Sequence, residues 1–392
     1  MGEANIRYNR NVNAPINPPT IINTQPAFDE FVRSLAQQSI IAVDTESNSL
    51  YVYQEQVCLL QFTDANGDTI VDPFADIDIS ALGDVFANPD IEIIFHAAEY
   101  DLICLERDFG FAFENIFDTM IAARILGRKK VGLGSLLEEE FDVHLAKNKQ
   151  RANWGIRPIP RDMLHYAQMD THYLIELRNR LKKALHASGR WSLAEEDFAR
   201  ARQVTQPVSP PRETMCWRVK GVRELSSSQR AVLQSLCEYR DDMAQRHNRP
   251  HFKILSDRTL LTIAEHQPEN REQLALMPGM SRGQMRRYAK GLLRAVTNGL
   301  QRKAPKRPRH PRPDDAYLAR LDALKTWRKQ TAQAWEVESD VILPKNIMLA
   351  LTTDAPTTHD ALTHILRDVP YRLEHFGDDL LNVLEDARKT HT

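Results

Sequence analysis

The sequence predicts an α/β domain followed by two small, related helical domains. Two observations carry this prediction. Apolar, β-branched runs with helical spacing between and after them occupy residues 21–205, a pattern typical of an α/β domain with a mixed sheet. Beyond residue 211 the strand patterns nearly vanish, and short helical patterns separated by Pro and Gly repeat at an offset of 88 residues.

The strands of the first domain are predicted from short apolar runs: Ile40 to Val43, Val57 to Phe62, Thr69 to Val71 and Ile91 to Phe95. Residues 66–68 predict a hairpin turn. Phe28 to Leu35 predicts a short amphipathic helix, and helical spacing begins again at His96. Asp118 is the expected N-cap of a helix ending at Gly127, and the pattern stays helical to about residue 205.

The repeat is visible in matched residues. Ala231, Leu233, Leu236, Tyr239, Arg240 and Ala244 fall on Ala319, Leu321, Leu324, Trp327, Arg328 and Ala332. We therefore predict two copies of one helical domain, 212–300 and 314–392, joined by a basic, Pro-rich linker at 301–313. Residues 1–20, rich in Asn and Pro, are expected to be a disordered lead-in rather than a signal peptide or anchor.

Composition excludes several protein classes. At 42% apolar and 27% charged residues the chain is typical of globular protein, and no apolar run is long enough for a membrane span. The four cysteines are scattered without a CxxC pair, which argues against a zinc site and a disulfide framework and favours a reducing cytoplasm. Residues 1–200 contain 19 Lys+Arg and 30 Asp+Glu, whereas residues 201–392 contain 32 and 23. An acidic half beside a basic half suggests one part that collects cations and one that binds a polyanion.

Four carboxylates are the candidate catalytic residues. Asp44 and Glu46 follow the strand Ile40 to Val43, and residues two apart on a strand point to one side. Asp101 lies on or beside the packing face of the helix predicted from His96. A further helix is predicted from about Asp162, and Asp170 falls within its apolar stripe of Met163, Ala167, Leu174, Leu177 and Leu181. An ionised carboxylate at either position needs a counterion. A turn cap or a salt bridge would explain any one of them. Together they fit a site in which two Mg²⁺ or Mn²⁺ ions activate a water and stabilise the leaving oxygen of a phosphodiester.

The segments around these acids resemble the ribonuclease D family of the DEDD exonuclease superfamily. They read IAVDTE from Ile41, HAAEYDL from His96, FDTMIAARILG from Phe117, KQRANWGIRP from Lys149 and YAQMD from Tyr166. Both helical repeats resemble the helicase-and-RNase-D C-terminal (HRDC) module. The resemblance implies a ribonuclease H-like fold, metal ligation by the four carboxylates, and 3′ to 5′ attack releasing nucleoside 5′-monophosphates.

The resemblance does not decide which residue is the activating one. The superfamily divides into Tyr-x-x-x-Asp and His-x-x-x-x-Asp types, and Tyr166 and His165 have these two spacings to Asp170. On a continuous helix Tyr166 lies roughly 40° around from Asp170 and His165 roughly 140°. We therefore choose Tyr166, which is expected to orient the attacking water. Ser47 departs from the Phe that many ribonuclease D proteins carry there, and Leu50 is either a wedge against the terminal base or an ordinary packed leucine.

The expected partner is RNA, with tRNA precursors or other structured 3′ ends as substrates and no required protein partner or membrane. Phosphate contacts near the site are predicted for Lys147, Lys149, Arg151 and Arg157. The repeats offer many cations and no obvious aromatic platform, which favours backbone contact over base reading: Arg246, Arg249, Lys253, Arg258, Arg286, Arg287 and Lys290. A DNA exonuclease of the same superfamily and an inactive nucleic-acid-binding scaffold are the competing hypotheses.

Overall fold

The computed structural model describes residues 16–145, 148–203, 211–307 and 313–389. Within these ranges the chain forms two compact units. One unit combines the described parts of residues 1–47, 57–206 and 312–392, and the other combines residues 48–56 with the described part of 207–311. The α/β domain and the second helical copy therefore share one unit, whereas the first helical copy belongs to the other.

A mixed sheet of six strands forms the centre of the first unit. The strands are β1 (Thr20–Ile22), β2 (Ile40–Ser47), β3 (Val57–Asp64), β4 (Gly67–Val71), β5 (Glu92–Phe95) and β6 (Ile116–Asp118). Their order is β1-β4-β3-β2-β5-β6; β3 runs antiparallel to β2 and β4, and the other pairs are parallel. All eight residues of β3 are buried, as expected for a strand covered on both faces.

The helices of the α/β part surround this sheet. They are α1 (Gln25–Leu35), α2 (Leu82–Phe86), α3 (Glu99–Phe109), α4 (Thr119–Ile125), α5 (Leu133–Phe141), α6 (Arg161–His172), α7 (Leu174–Ala187) and α8 (Trp191–Ala201). Asp118 caps α4 as predicted, and Gly127 follows that helix with a φ of 76°. All four cysteines lie in the described ranges and are buried, and none of them forms a disulfide. Within the described ranges no helix is long and apolar enough to cross a bilayer.

Two helix predictions are wrong in detail. The helix predicted from His96 begins only at Glu99, because Ala97 has a φ of 64°, a left-handed conformation that a helix cannot contain. The single helix predicted from about residue 162 is two helices that break at Tyr173. Its apolar stripe divides at this break, since Met163 belongs to a different apolar cluster from Leu174 on α7.

Two strand predictions also change. Strand β2 continues through Asp44 and Glu46 to Ser47 instead of ending at Val43, and the hairpin turn lies at residues 65–66, one position earlier than predicted. The predicted lead-in extends too far, because Thr20 begins β1 and pairs with Thr69. Residues 1–15 lie outside the described part of the chain.

The duplication appears in the helices themselves. The first copy contains α9 (Ser227–Arg246), α10 (His251–Ile254), α11 (Asp257–His266), α12 (Arg271–Ala275) and α13 (Arg282–Leu300), preceded by short 3₁₀ segments at Arg212–Arg218 and Val222–Glu224. The second contains α14 (Asp315–Trp335), α15 (Ser339–Ile342), α16 (Lys345–Asp354), α17 (His359–Leu366) and α18 (Pro370–Lys389). Each helix of the second copy begins 88 residues after its counterpart. The predicted duplication is therefore present helix by helix.

The second copy packs against the α/β part through the buried side chain of Arg372, which is 0% exposed. Its guanidinium donates to Glu196 and Asp197 on α8, with 2.9 and 3.0 Å to the two oxygens of Asp197. The remaining N–H groups donate to the carbonyls of Val341 at 2.7 Å and Ile342 at 3.0 Å. All five donors are used, and both charges of the acidic pair have a partner.

The equivalent position in the first copy is Gln284, whose amide donates to the carbonyl of Ile254 at 3.0 Å. Ile254 lies 88 residues before Ile342, so both copies retain the same internal hydrogen bond. The second copy uses a longer, charged side chain at this position and thereby also reaches α8. A close approach at Gly127 accompanies this packing, because a β-carbon there would overlap the carbonyl of Glu336.

We expect Arg372→Met to lower the free energy of unfolding by about 3–5 kcal/mol, because it leaves the buried carboxylate of Glu196 without its partner. Urea denaturation of the full chain measures this loss. The matched control is Arg367→Met, which removes an exposed pair with Asp368 and should cost about 0–1 kcal/mol. Adding Glu196→Gln to Arg372→Met should recover part of the loss. A loss below about 1 kcal/mol for Arg372→Met would contradict this account.

Candidate active site

Strand β2 carries two of the predicted carboxylates. Asp44 and Glu46 lie two positions apart, so their side chains point to the same face of the sheet. Their cross-strand partners on β3 are Gln61 and Leu59. Both acids retain some contact with solvent, although protein surrounds them on most sides.

The third carboxylate, Asp101, lies in the first turn of α3 and is buried. It accepts a hydrogen bond from the hydroxyl of Thr45, which stands between Asp44 and Glu46 on β2. This bond joins the start of α3 to the strand that carries the other two acids. Asp101 is therefore held beside the first pair by a residue of the same strand.

The bend between β5 and α3 is held by Asp118 at the end of β6. Its carboxylate accepts the backbone N–H groups of Ala97 at 3.1 Å and Ala98 at 2.8 Å. The same carboxylate accepts those of Met120 at 2.8 Å and Ile121 at 3.1 Å, which caps α4. One buried side chain thus stabilises the left-handed bend that aims α3 and its Asp101. Sequence reasoning identified only the cap, because the contact with the bend spans about 20 residues of chain.

Helix α6 brings in the fourth carboxylate, Asp170, together with Tyr166. A buried polar cluster fixes this helix to β4: Asp68 accepts from the amide of Gln168 at 2.7 Å and lies 2.6 Å from Nδ1 of His172. Thr63 on β3 donates to the hydroxyl of Thr171 at 2.8 Å. These contacts, which sequence reasoning missed, set the depth and rotation of the helix that presents Asp170.

The four carboxylates are close enough to alter one another's ionisation. Burial, then the charges of Asp101, Asp170 and Glu46, raise the pKa of Asp44 well above its ordinary value. Burial and the charges of Asp170 and Asp101 raise the pKa of Glu46 to about 9. Burial raises the pKa of Asp101 to about 7, and burial with the charge of Asp101 raises that of Asp170 to about 7. The structure therefore gathers the four predicted acids into one patch of like charge.

Tyr166 belongs to this patch and His165 does not. The pKa of the Tyr166 hydroxyl is raised by burial first and then by the charges of Asp170, Glu46 and Asp44. The ring also lies 6.0 Å from that of Trp154. His165 is exposed on the helix. The positions agree with the helix-face argument that selected the tyrosine.

The predicted phosphate contacts have diverse surroundings. Lys149 forms an ion pair with Asp162, and Arg151 is exposed. Leu50 is 37% exposed and lies in the segment 48–56, which groups with the first helical copy. Lys147 lies outside the described residues.

The prediction that Arg157 contacts phosphate is wrong. Its Nε and one Nη donate to the two oxygens of Asp72, each at 2.6 Å. The remaining N–H groups donate to the carbonyls of Trp154, Ile156 and Cys58, each at 2.8 Å. Since all five donors are used, Arg157 fastens the loop before α6 to the sheet and has no donor left for a ligand.

Comparisons with known proteins agree with this arrangement. A family model described as 3′-5′ exonuclease matches residues 19–186, and the HRDC domain model matches residues 229–296 and 318–384. A ribonuclease D of Sphingobium indicum is 30% identical over 264 residues, which cover 67% of this chain and 68% of that protein. The chain belongs to the ribonuclease D family. It is therefore a hydrolytic 3′–5′ exoribonuclease with two HRDC domains.

Other relatives extend the comparison. An exosome complex component 10 homolog of Caenorhabditis elegans is 31% identical over 259 residues, or 64% of this chain and 29% of that protein. The match thus spans less than a third of this longer relative. The crystal structure of Escherichia coli RNase D covers 94% of this chain and 99% of its own, with a TM-score of 0.69 and 23% identity. It has the same fold, which confirms the predicted fold class.

Exonucleases of this family use divalent metal ions, and the acids of this ribonuclease D chain have suitable chemistry. Carboxylate oxygens are the ligands that Mg²⁺ and Mn²⁺ prefer. Among the described residues no three His, Cys, Asp or Glu side chains already have the arrangement of a metal site. The pKa shifts act over a longer range than metal–oxygen bonds of about 2.1 Å. The effects on pKa thus show that the carboxylates are near one another, at separations larger than those between the ligands of a single metal ion.

The positive charge of the second half belongs to one HRDC copy. Residues 207–311 contain 21 Lys+Arg and 9 Asp+Glu, whereas residues 312–392 contain 10 and 14. The second HRDC domain is therefore slightly acidic. The sequence predicted that the basic half binds a polyanion. Because only the first HRDC domain and the linker that follows it are basic, the prediction now applies to these two segments.

In EDTA, the chain should become less stable as pH rises from about 4 through 7 and toward 9. The native state holds protons on Asp101, Asp170 and Glu46 more tightly than the unfolded chain does. The stability that this proton binding contributes is complete below the pKa values of the unfolded chain, and it is lost as pH rises through the higher pKa values of the folded chain. Asp44→Asn should raise the free energy of unfolding at pH 8 by on the order of 1 kcal/mol, because it removes one of the mutually repelling charges.

Thermal unfolding at pH 5 and pH 8, with EDTA and with Mn²⁺, measures these effects. Mn²⁺ should stabilise the parent chain at pH 8 and the Asp44→Asn variant much less. A parent chain that is equally stable in EDTA at both pH values would contradict the repulsion among these carboxylates.

Proposed function

We propose that Asp44, Glu46, Asp101 and Asp170 hold two divalent cations, Mg²⁺ or Mn²⁺, and that the chain removes nucleoside 5′-monophosphates from RNA 3′ ends. The observation that carries this proposal is that carboxylates contributed by β2, α3 and α6 lie close enough for Asp101 and Asp170 to raise the pKa of Asp44 and Glu46. Like charges held this close favour cations as their partners. Cations held by these carboxylates would supply activation of a water and stabilisation of the leaving 3′ oxygen.

Side chains other than the four carboxylates have separate roles in the reaction. Tyr166 orients the attacking water, since its raised pKa keeps the hydroxyl protonated at neutral pH and able to donate or accept a hydrogen bond. Thr45 donates to one oxygen of Asp101 and so acts as a positioning residue for that carboxylate. Asp118 holds the bend before α3, so it acts as a positioning residue. Lys149 and Arg151 contact phosphates of the substrate.

The natural substrates are RNAs whose 3′ ends require shortening, with tRNA precursors and other structured RNAs as the proposed class. Purified full chain is incubated with 5′-labelled RNA and DNA of one sequence, in Mg²⁺, Mn²⁺ or EDTA. The expected products are a ladder that shortens from the 3′ end of the RNA and depends on a metal ion. Faster cleavage of DNA would favour the alternative DNA exonuclease, and binding without cleavage would favour the inactive scaffold.

Asp44→Asn, Asp101→Asn and Asp170→Asn should each reduce the rate of cleavage by at least about 100-fold without unfolding the protein, because they remove charge at the metal site and little packing. Single-turnover cleavage measures the rate, and circular dichroism checks the fold. Asp84→Asn is the matched control, since Asp84 is exposed on α2 and is not among the predicted site residues. Near-normal turnover in any of the three active-site variants would remove that residue from the site.

Tyr166→Phe should lower kcat by about 10- to 1,000-fold with little change in KM, because the ring remains against Trp154 and only the hydroxyl is lost. His165→Ala should change kcat by less than about threefold, since that residue is exposed. Steady-state kinetics on a short RNA separates the two parameters. The reverse ranking would show that the histidine is the activating residue.

A further inference from the structure

The first HRDC domain contains a cleft whose residues differ from those at the equivalent positions of the second copy. It has a volume of about 650 Å³ and lies between α9, α13 and the 3₁₀ segment Arg212–Arg218. The residues that matter for its chemistry are Arg212, Tyr239, Arg246, Gly291, Arg294 and Arg302. All of them belong to one compact unit.

Two of the four arginines in the cleft are already neutralised. Arg212 pairs with Asp242, and Arg302 pairs with Glu238 at 2.6 Å. Arg246 and Arg294 have no acidic partner among the described residues, and both are exposed. The cleft therefore has two cations available for an anionic ligand.

The wall between these two arginines is aromatic. Burial raises the pKa of Tyr239, and the charges of Arg246 and Arg294 oppose that rise, which places both guanidinium groups near its hydroxyl. Gly291 on α13 faces the ring so closely that a β-carbon there would overlap it. The absence of a side chain at Gly291 thus leaves room for the ring beside α13, where Tyr239 lines the cleft.

The second copy provides an internal comparison. At an offset of 88 residues, Arg246 and Arg294 correspond to Ala334 and Asn382, and Gly291 corresponds to Asp379. The cations and the glycine are all absent from these positions of the second copy, which packs against the α/β part through Arg372 instead. The two copies share helices and differ in the chemistry of this cleft.

We propose that this cleft of the first HRDC domain binds the backbone of single-stranded RNA, with Arg246 and Arg294 on phosphates and Tyr239 against a base. Two unpaired arginines beside an aromatic ring are the combination by which proteins hold single-stranded nucleic acid. The cleft lies in the segment that carries 21 Lys+Arg against 9 Asp+Glu. This inference rests on the proposed action on RNA and adds a second contact on the same substrate.

The test uses the full chain in EDTA, where cleavage cannot proceed, and a fluorescent single-stranded RNA of about 30 nucleotides. Arg246→Gln/Arg294→Gln should weaken binding at least tenfold at 0.1 M KCl. The slope of log affinity against log salt should become shallower by about 1.4, since each lost phosphate contact on a single strand contributes about 0.7. Arg223→Gln/Arg282→Gln is the matched control, because both residues are exposed in the same copy, lie outside the cleft and are not among the predicted backbone contacts.

Tyr239 is tested separately. Tyr239→Leu should weaken binding about tenfold with an unchanged salt slope, whereas Tyr239→Phe should bind like the parent chain because it keeps the ring. Thermal unfolding of each variant identifies any that fails to fold. AMP at 1 mM should not displace the RNA; displacement would assign the cleft to free nucleotides and overturn the proposal.

Two further results would overturn it. An unchanged salt slope for Arg246→Gln/Arg294→Gln would remove the cleft from the RNA path, and an equal change in the control pair would show diffuse attraction to a basic surface. Cleavage of a four-nucleotide RNA in Mn²⁺ is measured in parallel. If the parent chain cleaves it and the salt slope does not change, only the cleft assignment fails; if no RNA is cleaved, the proposed function itself fails.

Discussion

The repulsion among four partly buried carboxylates is the constraint on which the catalytic domain depends. The charge of Asp101 raises the pKa of the other three carboxylates, and that of Asp170 raises the pKa of Asp44 and Glu46, so the protein must hold the acids together against their own charge. It does so through neighbours that are not acids of the site. Thr45 fixes Asp101, Asp118 fixes the bend before α3, and Asp68 fixes the helix that carries Asp170. These hydrogen bonds fix the elements that carry the acids beside one another.

Duplication has given the chain two copies of one fold with different surface chemistry. Both copies retain the hydrogen bond to the carbonyl of Ile254 or Ile342, donated by Gln284 or Arg372. Changing an amide to a guanidinium at this position adds a buried ion pair and attaches the second copy to the nuclease domain. The first copy keeps the basic cleft. The same set of helices therefore packs against the nuclease domain in one copy and forms a basic cleft in the other.

The physical reasons for the failed predictions are long-range contacts. The apolar stripe from Met163 to Leu181 has helical spacing throughout, yet the helix breaks at Tyr173 because its two parts pack in different clusters. Arg157 has the composition of a phosphate contact, but Asp72, 85 residues away, takes two of its donors. Neither periodicity nor residue type shows which distant residue a side chain will contact.

The sequence by itself determined the α/β class, the duplicated helices at their 88-residue offset, and the choice of Asp44, Glu46, Asp101 and Asp170 as candidates, because periodicity, repetition and residue type are local properties of a chain. Their roles as metal ligands stay predictions. Only the tertiary structure decided that the second HRDC domain packs with the nuclease domain and that Asp118 serves both α3 and α4. Those outcomes depend on which distant groups satisfy a buried charge or backbone N–H, and that is settled by packing in three dimensions.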